Sequence, residues 1–440
     1  MLRWSFADGD FLGDESWYFY LARTFGSEPA AARDAPWFHL LNRPLFYAIF
    51  HACTYGGLLG FRLFATAVGA LVPVLAYRAA TALGAGRTSA LLLTAALCLH
   101  RQHVEHAAHG FPDLLAADFA LGALWAVGRN RAGASSLLAI ACVLCKESFI
   151  AVPAIVTWLR LCPTDPPSLR ASWSARDRWA WLTLALPTSY VLAITALGLS
   201  VPGVSMQGWS ATALTLKHAR NMWVGPELWP FFAWLAWQRQ LRSLVVWLGL
   251  PAFYLLWSGA LGRGLAPWYV VGPSSLAAVA AAMGLTTLAR RMQQVSRRSR
   301  VLAVGALLAC LAPVPVQGAL RTAAQLRSLR RLPQPTAAAA LQPILARHAP
   351  ERLLLVDCFW SFGYSHLRAA HGPPSRIYWW AGEAEVARAA VAADVTIVCR
   401  EPEHTAQVAR LVSQGFEQIM SDDRWLVITP RAPSHVGTHP

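Results

Sequence analysis

Residues Trp179 to Leu216 run without a single charged side chain. That is nearly twice the roughly 20 apolar residues a helix needs to cross the hydrocarbon of a bilayer. Three more uncharged stretches are long enough to cross: Ser243–Gly262, Gly264–Ala289 and Val301–Leu320. Shorter apolar runs lie at Leu63–Tyr77, Thr88–Leu99, Leu114–Val127, Ala134–Cys145, Ser148–Leu159 and Met222–Gln238. Tilting, or snorkelling of flanking Arg and Trp side chains, extends such runs. Together they predict about ten spans. A soluble chain has about a quarter of its residues charged; here 14% are charged and 55% are hydrophobic. The 20 Trp residues suit a chain with many membrane–water interfaces.

The net charge of +15 does not point to nucleic acid, because the basic residues sit in short clusters between apolar runs. One set of loops holds Arg87; Arg129 and Arg131; Arg160, Arg170, Arg176 and Arg178; Arg239 and Arg242; and Arg290, Arg291, Arg297, Arg298 and Arg300. With about ten spans these loops share one side, and cytoplasmic loops carry the excess of arginine and lysine. Residues 1–58, 100–112, the tip at Lys146, 200–221 and 261–267 are then expected to face outward. The N-terminus is polar and acidic, with no cleavable signal peptide visible. Cys142 and Cys145 form a Cys-x-x-Cys inside an apolar helix, where packing is the expected role.

After about Leu320 the pattern changes. Arg321–His348 reads as a helical connector. Beyond Glu351 short apolar runs at Leu353–Asp357, Arg376–Trp380, Val395–Cys399 and Trp425–Thr429 alternate with amphipathic stretches at Gly363–His371, Glu383–Ala393 and Glu403–Gln414. That alternation predicts a small α/β domain. The expected division is an outer-face segment over 1–58, a helical membrane domain over 59–320, a connector over 321–350, the α/β domain over 351–432 and a tail over 433–440. The fold class is thus a polytopic α-helical membrane protein, about ten transmembrane helices, with a small C-terminal α/β domain.

Four constellations are candidates for chemistry. Asp14 and Glu15 close a run of four acids that begins at Asp8 and precedes Trp17, Tyr18 and Tyr20. Acids in such a run either cap a helix or supply a general base or metal ligand at the membrane surface. Arg43, before Pro44-Leu45, either snorkels or clamps phosphate, since guanidinium matches phosphate oxygens bidentately. Four of the 13 histidines, His100, His103, His106 and His109, crowd one loop that ends in Pro112-Asp113. His103 and His106 are spaced to share a helix face, so a divalent metal is held open with Asp14, His103 and His106 as its candidate ligands. Asp118 lies deeper in the same apolar helix, where a carboxylate faces a cavity or a partner. Lys146, one of only two lysines, stands with Glu147 between two apolar runs. It either pairs with its neighbour or meets an anionic headgroup. Lys217 and Arg263 add cations to the outward loops.

In this order, the pieces resemble the GT-C superfamily, in its dolichyl-phosphate-mannose–protein mannosyltransferase and bacterial aminoarabinose-transferase-like branches. The resemblance rests on Asp14, Glu15, Tyr18 and Ala22 in the first outer loop, Arg43-Pro44-Leu45, Arg62-Leu63 and Pro112-Asp113-Leu114. It continues through Leu144-Cys145-Lys146, similar to a Leu-x-x-Lys hairpin, and Tyr269 four residues before Pro273. It covers roughly residues 8–290. Three departures stand out. The family has a helix ahead of its Asp-Glu loop, so a mis-set or truncated start is expected here. The second proline of the family's Pro-Pro-Leu is missing. Lys146 is followed by Glu147 rather than glycine.

The resemblance implies transfer of a sugar, with inversion, from a polyprenyl-phosphate carrier to an acceptor hydroxyl or amine on the extracytoplasmic face of a bacterial-type inner membrane. It implies Asp14, Glu15 and Asp113 as catalytic residues, and Arg43, Lys146, Lys217, Arg263 and Tyr269 as the carrier-phosphate site. The partners are the lipid-linked sugar, an acceptor that is a protein, lipid or glycan, and membrane lipids. The alternative is a non-catalytic polytopic protein, a transporter or flippase or a family-derived scaffold. A transporter is expected to show inverted repeats, and no repeat of fixed period is found in the chain.

Overall fold

The computed structural model describes residues 18–19, 22, 43–107, 109–163, 178–196, 218–261, 267–294, 296–329, 337–348, 350, 353–356, 376–378, 390–399, 413, 415–421 and 425–430. It divides into two compact units, the first including Leu21–Arg331 and the second including Leu332–Pro440 together with Tyr18 and Phe19.

The first unit is helical. Its helices are α1 (Pro44–Thr54), α2 (Gly57–Ala82), α3 (Arg87–Cys98), α4 (Arg101–His106), α5 (Pro112–Gly128), α6 (Ala132–Cys145), α7 (Ala151–Leu161) and α8 (Arg178–Ala196). They are followed by α9 (Trp229–Trp237), α10 (Leu241–Leu261), α11 (Val271–Arg291), α12 (Arg297–Leu311) and α13 (Pro313–Leu329). Among the described residues three helices are long and apolar enough to cross a bilayer: Leu59–Ala82, Arg178–Ala196 and Val271–Arg291. The pair α12 and α13, bent by 49°, forms a fourth if it is one broken span. Shorter apolar helices stand beside them at Pro44–Thr54, Arg87–Cys98, Ala132–Cys145 and Leu241–Leu256. The chain is a membrane protein, and among the described residues fewer unbroken helices reach spanning length than there are apolar runs in the sequence.

The breaks have local causes. Met222–Gln238 is not one span: Trp223 takes a positive φ of 56°, Pro226–Leu228 forms a 3₁₀ turn, and α9 keeps only nine residues. Gly225 and Pro226 interrupt the helix there, as proline removes a backbone donor and crowds the preceding turn. Val301–Leu320 bends where Pro313 starts a new helix. Conversely α2 outruns its uncharged core Leu63–Tyr77, because Arg62 and Arg78 continue the helix rather than end it.

Two helices form the centre. Nearly every residue of α5 and α11 is buried, on all sides. A helix that is apolar all round belongs inside a bundle. Both are rich in small residues: Ala116, Ala117, Ala120, Ala123 and Ala126 in α5, and Ala277, Ala278, Ala280, Ala281 and Ala282 in α11. Small side chains let helices approach closely where lipid supplies no hydrophobic drive. α11 packs against α10, α3, α2 and α5, and α5 packs against α2 and α6. At Gly128 the approach of α5 to α2 is tight: a Cβ there would lie 2.6 Å from the carbonyl carbon and oxygen of Ala82. Backbone cannot move as a rotamer can, so Gly128→Ala is expected to cost about 1–3 kcal/mol. Thermal unfolding in detergent measures it.

The second unit contains α14 (Ala337–His348) and a five-stranded sheet. Its strands are β1 (Leu353–Val356), β2 (Arg376–Tyr378), β3 (Val395–Cys399), β4 (Phe416–Ser421) and β5 (Trp425–Pro430), in the order β2-β1-β3-β5-β4. β1 pairs in parallel with β2 and β3, and β5 pairs antiparallel with β3 and β4. Four of these strands match the apolar runs read from the sequence. β4 does not: Glu417 and Gln418 on an edge strand hide its pattern, and a register shift between Gln418 and Met420 interrupts the alternation. Of the amphipathic stretches between strands, only Ala390–Ala393 and Ser413 are described; Ala390–Ala392 and Ser413 are helical.

Candidate active site

α5 and α6 are consecutive, antiparallel and tightly packed. The start of the first and the end of the second therefore share one end of the bundle. Pro112 opens α5 at its first turn, where proline's missing N–H costs nothing, and Asp113 follows it. Lys146 is the C-cap of α6. An acid at a helix N-terminus and a cation at a C-terminus are each favoured by the helix dipole. The two meet: Lys146 Nζ lies 3.4 Å from Asp113 Oδ2, with both side chains 1% exposed.

Lys146 is extended, with φ −153° and ψ 109°. Successive side chains of extended backbone point to opposite sides. Glu147 therefore turns away from its neighbour and toward Arg43, the N-cap of α1. Arg43 Nη2 donates to Glu147 Oε1 at 3.4 Å, and Arg43 Nε stands 3.3 Å from Glu147 Oε2. This is the two-pronged approach of a guanidinium to a carboxylate. Pairing of Lys146 with Glu147, one of the two readings of that sequence, is replaced by two crossed ion pairs. Burial pushes the Lys146 ammonium toward neutrality, but Asp113, Tyr269 and Glu147 outweigh it and hold its pKa above the ordinary value. Burial likewise raises Glu147, but Arg43 and then Lys146 draw its carboxyl below the usual range.

Tyrosines close the site. Lys146 Nζ sits 4.6 Å from the centroid of the Tyr269 ring, a cation–π arrangement. Tyr269 belongs to the 3₁₀ turn Pro267–Val270 that leads into α11. Its ring meets Tyr254 of α10 edge-on at 5.6 Å, and the Tyr254 hydroxyl is 3.1 Å from Ser148 Oγ. Tyr254 and Ser148 carry no motif in the sequence; Tyr254 is one of three hydroxyl residues in the uncharged run Ser243–Gly262.

Next to this cluster lies the histidine-rich segment, almost wholly buried. His100 Nε2 donates to the Asn221 carbonyl at 2.8 Å. Burial lowers the His100 pKa to about 4, against a smaller upward pull from that carbonyl, so the ring is neutral. His103 Nε2 lies 3.0 Å from Ser274 Oγ and 3.3 Å from Ser275 Oγ. Both serine hydroxyls donate to backbone carbonyls of Val270 and Val271, so the imidazole is the donor to them. His106 Nε2 instead donates to Gln102 Oε1 at 2.8 Å. His103 and His106 thus turn their Nε2 atoms to different partners. Among the described residues no group of three His, Cys, Asp or Glu side chains converges as a metal site requires.

The structure therefore brings together Arg43, Asp113, Lys146 and Tyr269 of the residues read from the sequence, and adds Glu147. Asp14, Glu15, Lys217 and Arg263 lie outside the described residues. Ala22, the last residue of the acidic motif, is described: His51 Nδ1 of α1 donates to its carbonyl at 2.8 Å. Asp118 is buried in α5, and Arg62 is fully buried in α2 rather than opening it. Cys142 and Cys145 are buried, and the Cys142 thiol donates to the Ala116 carbonyl at 3.1 Å.

No protein-family model matches the chain, and no curated protein matches it by sequence. Solved structures do. The crystal structure of ArnT from Cupriavidus metallidurans in the apo state is similar over 97% of this chain and 95% of that one, with a TM-score of 0.53 and 16% identity. The structure of the same protein bound to undecaprenyl phosphate gives the same coverage and TM-score at 15% identity. The chain thus has the fold of ArnT.

Proposed function

We propose that the protein is a glycosyltransferase that takes a sugar from a polyprenyl-phosphate carrier on the extracytoplasmic face. The observation that carries this reading is the paired, buried charge at one end of the bundle, on a fold seen elsewhere with undecaprenyl phosphate. Ion pairs in so dry a place cost more desolvation than they return in stability. Groups of this kind cluster where charge is handled chemically.

In the reaction, the acceptor oxygen or nitrogen attacks the anomeric carbon while the carbon–oxygen bond to phosphate breaks. The phosphate departs with the bonding electrons, and the configuration inverts. Arg43 and Lys146 face the charge that grows on the leaving oxygens, which is where fixed cations contribute most. Lys217 and Arg263 are proposed as helpers. Asp113 holds Lys146 charged and aimed; Tyr269 covers that ammonium. Asp14 is proposed as the base that removes the acceptor's proton, with Glu15 orienting the acceptor. The sugar and the acceptor are left unassigned.

The test is sugar transfer by purified protein from a polyprenyl-phosphate sugar, with Asp14→Asn as the control. Loss of transfer with normal membrane insertion is the expected result. Undiminished turnover in Asp14→Asn removes that residue from the chemistry, and absence of any consumption of lipid-linked sugars removes the enzyme reading.

A further inference from the structure

Glu147 is the one charged member of the cluster that the mechanism leaves idle. It occupies the fork of Arg43, the residue assigned above to phosphate, with two oxygens facing two guanidinium nitrogens at 3.3 and 3.4 Å. A carboxylate in that position presents to arginine the same planar pair of acceptors as a phosphate oxygen pair. We propose that Glu147 is an internal stand-in for the carrier's phosphate, which binds Arg43 by displacing it and whose affinity Glu147 thereby sets. The inference rests on the phosphate role assigned to Arg43 above.

Two features single out Glu147 rather than Asp113 as the group that leaves. The Glu147 side chain is 15% exposed, whereas that of Asp113 is 1% exposed. Asp113 is also held by the first turn of a helix that is buried along nearly its whole length, where the dipole favours it. Glu147 instead starts a 3₁₀ turn of only three residues, Glu147–Phe149, between α6 and α7. A short turn at the tip of a hairpin re-orients a side chain with less disturbance than the end of a long packed helix. Arg43 stays charged throughout, so the exchange swaps one anion for another and transfers no proton.

The experiment measures binding of a polyprenyl monophosphate in detergent, and of inorganic phosphate, to the full-length protein. Glu147→Gln keeps the shape and removes the charge. Its expected effect is at least about tenfold tighter binding than wild type, an effect that loss of structure does not produce. Glu147→Ala is the second variant and is expected to tighten binding as well. The gain must vanish in Arg43→Ala/Glu147→Gln, because the competition is for that guanidinium. Tightening for both ligands identifies phosphate itself as the exchanging group, and tightening for the lipid alone identifies the lipid-borne phosphate. Unchanged or weaker binding in both single variants, with wild type binding normally, overturns the role of Glu147 and leaves the transferase reading standing. No binding of either ligand to wild type or variant overturns both. A gain that persists without Arg43 overturns the exchange.

Discussion

Asp113→Ala is expected to destabilise the protein by about 3–5 kcal/mol, the typical cost of stranding one partner of a buried ion pair. Lys146 is fully buried and its ammonium has Asp113 at 3.4 Å. Removing the carboxylate leaves a dry positive charge with the face of Tyr269 and the weaker pull of Glu147 to balance it. Asp113→Asn should cost less, since the amide keeps a carbonyl acceptor of the same shape. The double variant Asp113→Asn/Lys146→Met should recover much of the loss, because it removes both charges together. Thermal or denaturant unfolding in one detergent, followed by tryptophan fluorescence, provides the comparison. If Asp113→Ala unfolds as wild type does, the two groups are not an ion pair in the membrane.

Arg43 offers the second large effect, this time on turnover. Arg43→Ala should lower kcat/KM for sugar transfer by about 10²–10³, the usual consequence of removing one preorganised donor from a developing anion. The informative variant is Arg43→Lys. A lysine supplies charge but no fork, so it should rescue little if the guanidinium grips oxygens in pairs. A snorkelling arginine at an interface would be replaced by lysine with no loss at all. The ratio of the two variants in steady-state kinetics therefore separates the readings that the sequence left open.

How far the sequence could reach is visible in individual residues. Lys146 was legible as a turn tip because apolar runs flank it on both sides, and α6 and α7 do end and begin around it. Its partner was not. Adjacency in sequence suggests that Lys146 pairs with Glu147, but the extended backbone at Lys146 sends the two apart, and no spacing rule reports that dihedral angle. Asp113 was legible as a helix-opening acid behind proline, while its contact with Lys146 follows from the packing of α5 on α6. The break at Trp223–Leu228 was missed because hydropathy counts Gly225 and Pro226 as merely uncharged. His103 and His106 satisfy a spacing rule for shared faces, but that rule does not report that their Nε2 atoms go to separate neighbours. The α/β unit was read well where strands are buried and apolar, and lost at β4, where polar residues line an edge.

The extended geometry of Lys146 has a mechanical corollary. One peptide unit links the two crossed couples, so they are harnessed like a team on a single yoke. A pull on either couple is felt by the other through a lever barely one residue long. Lengthening the hairpin at this point by one amino acid would turn the lysine and the glutamate to each other's sides, bringing like charges face to face. The length of this connection is thus as much a part of the site as the residues that end it.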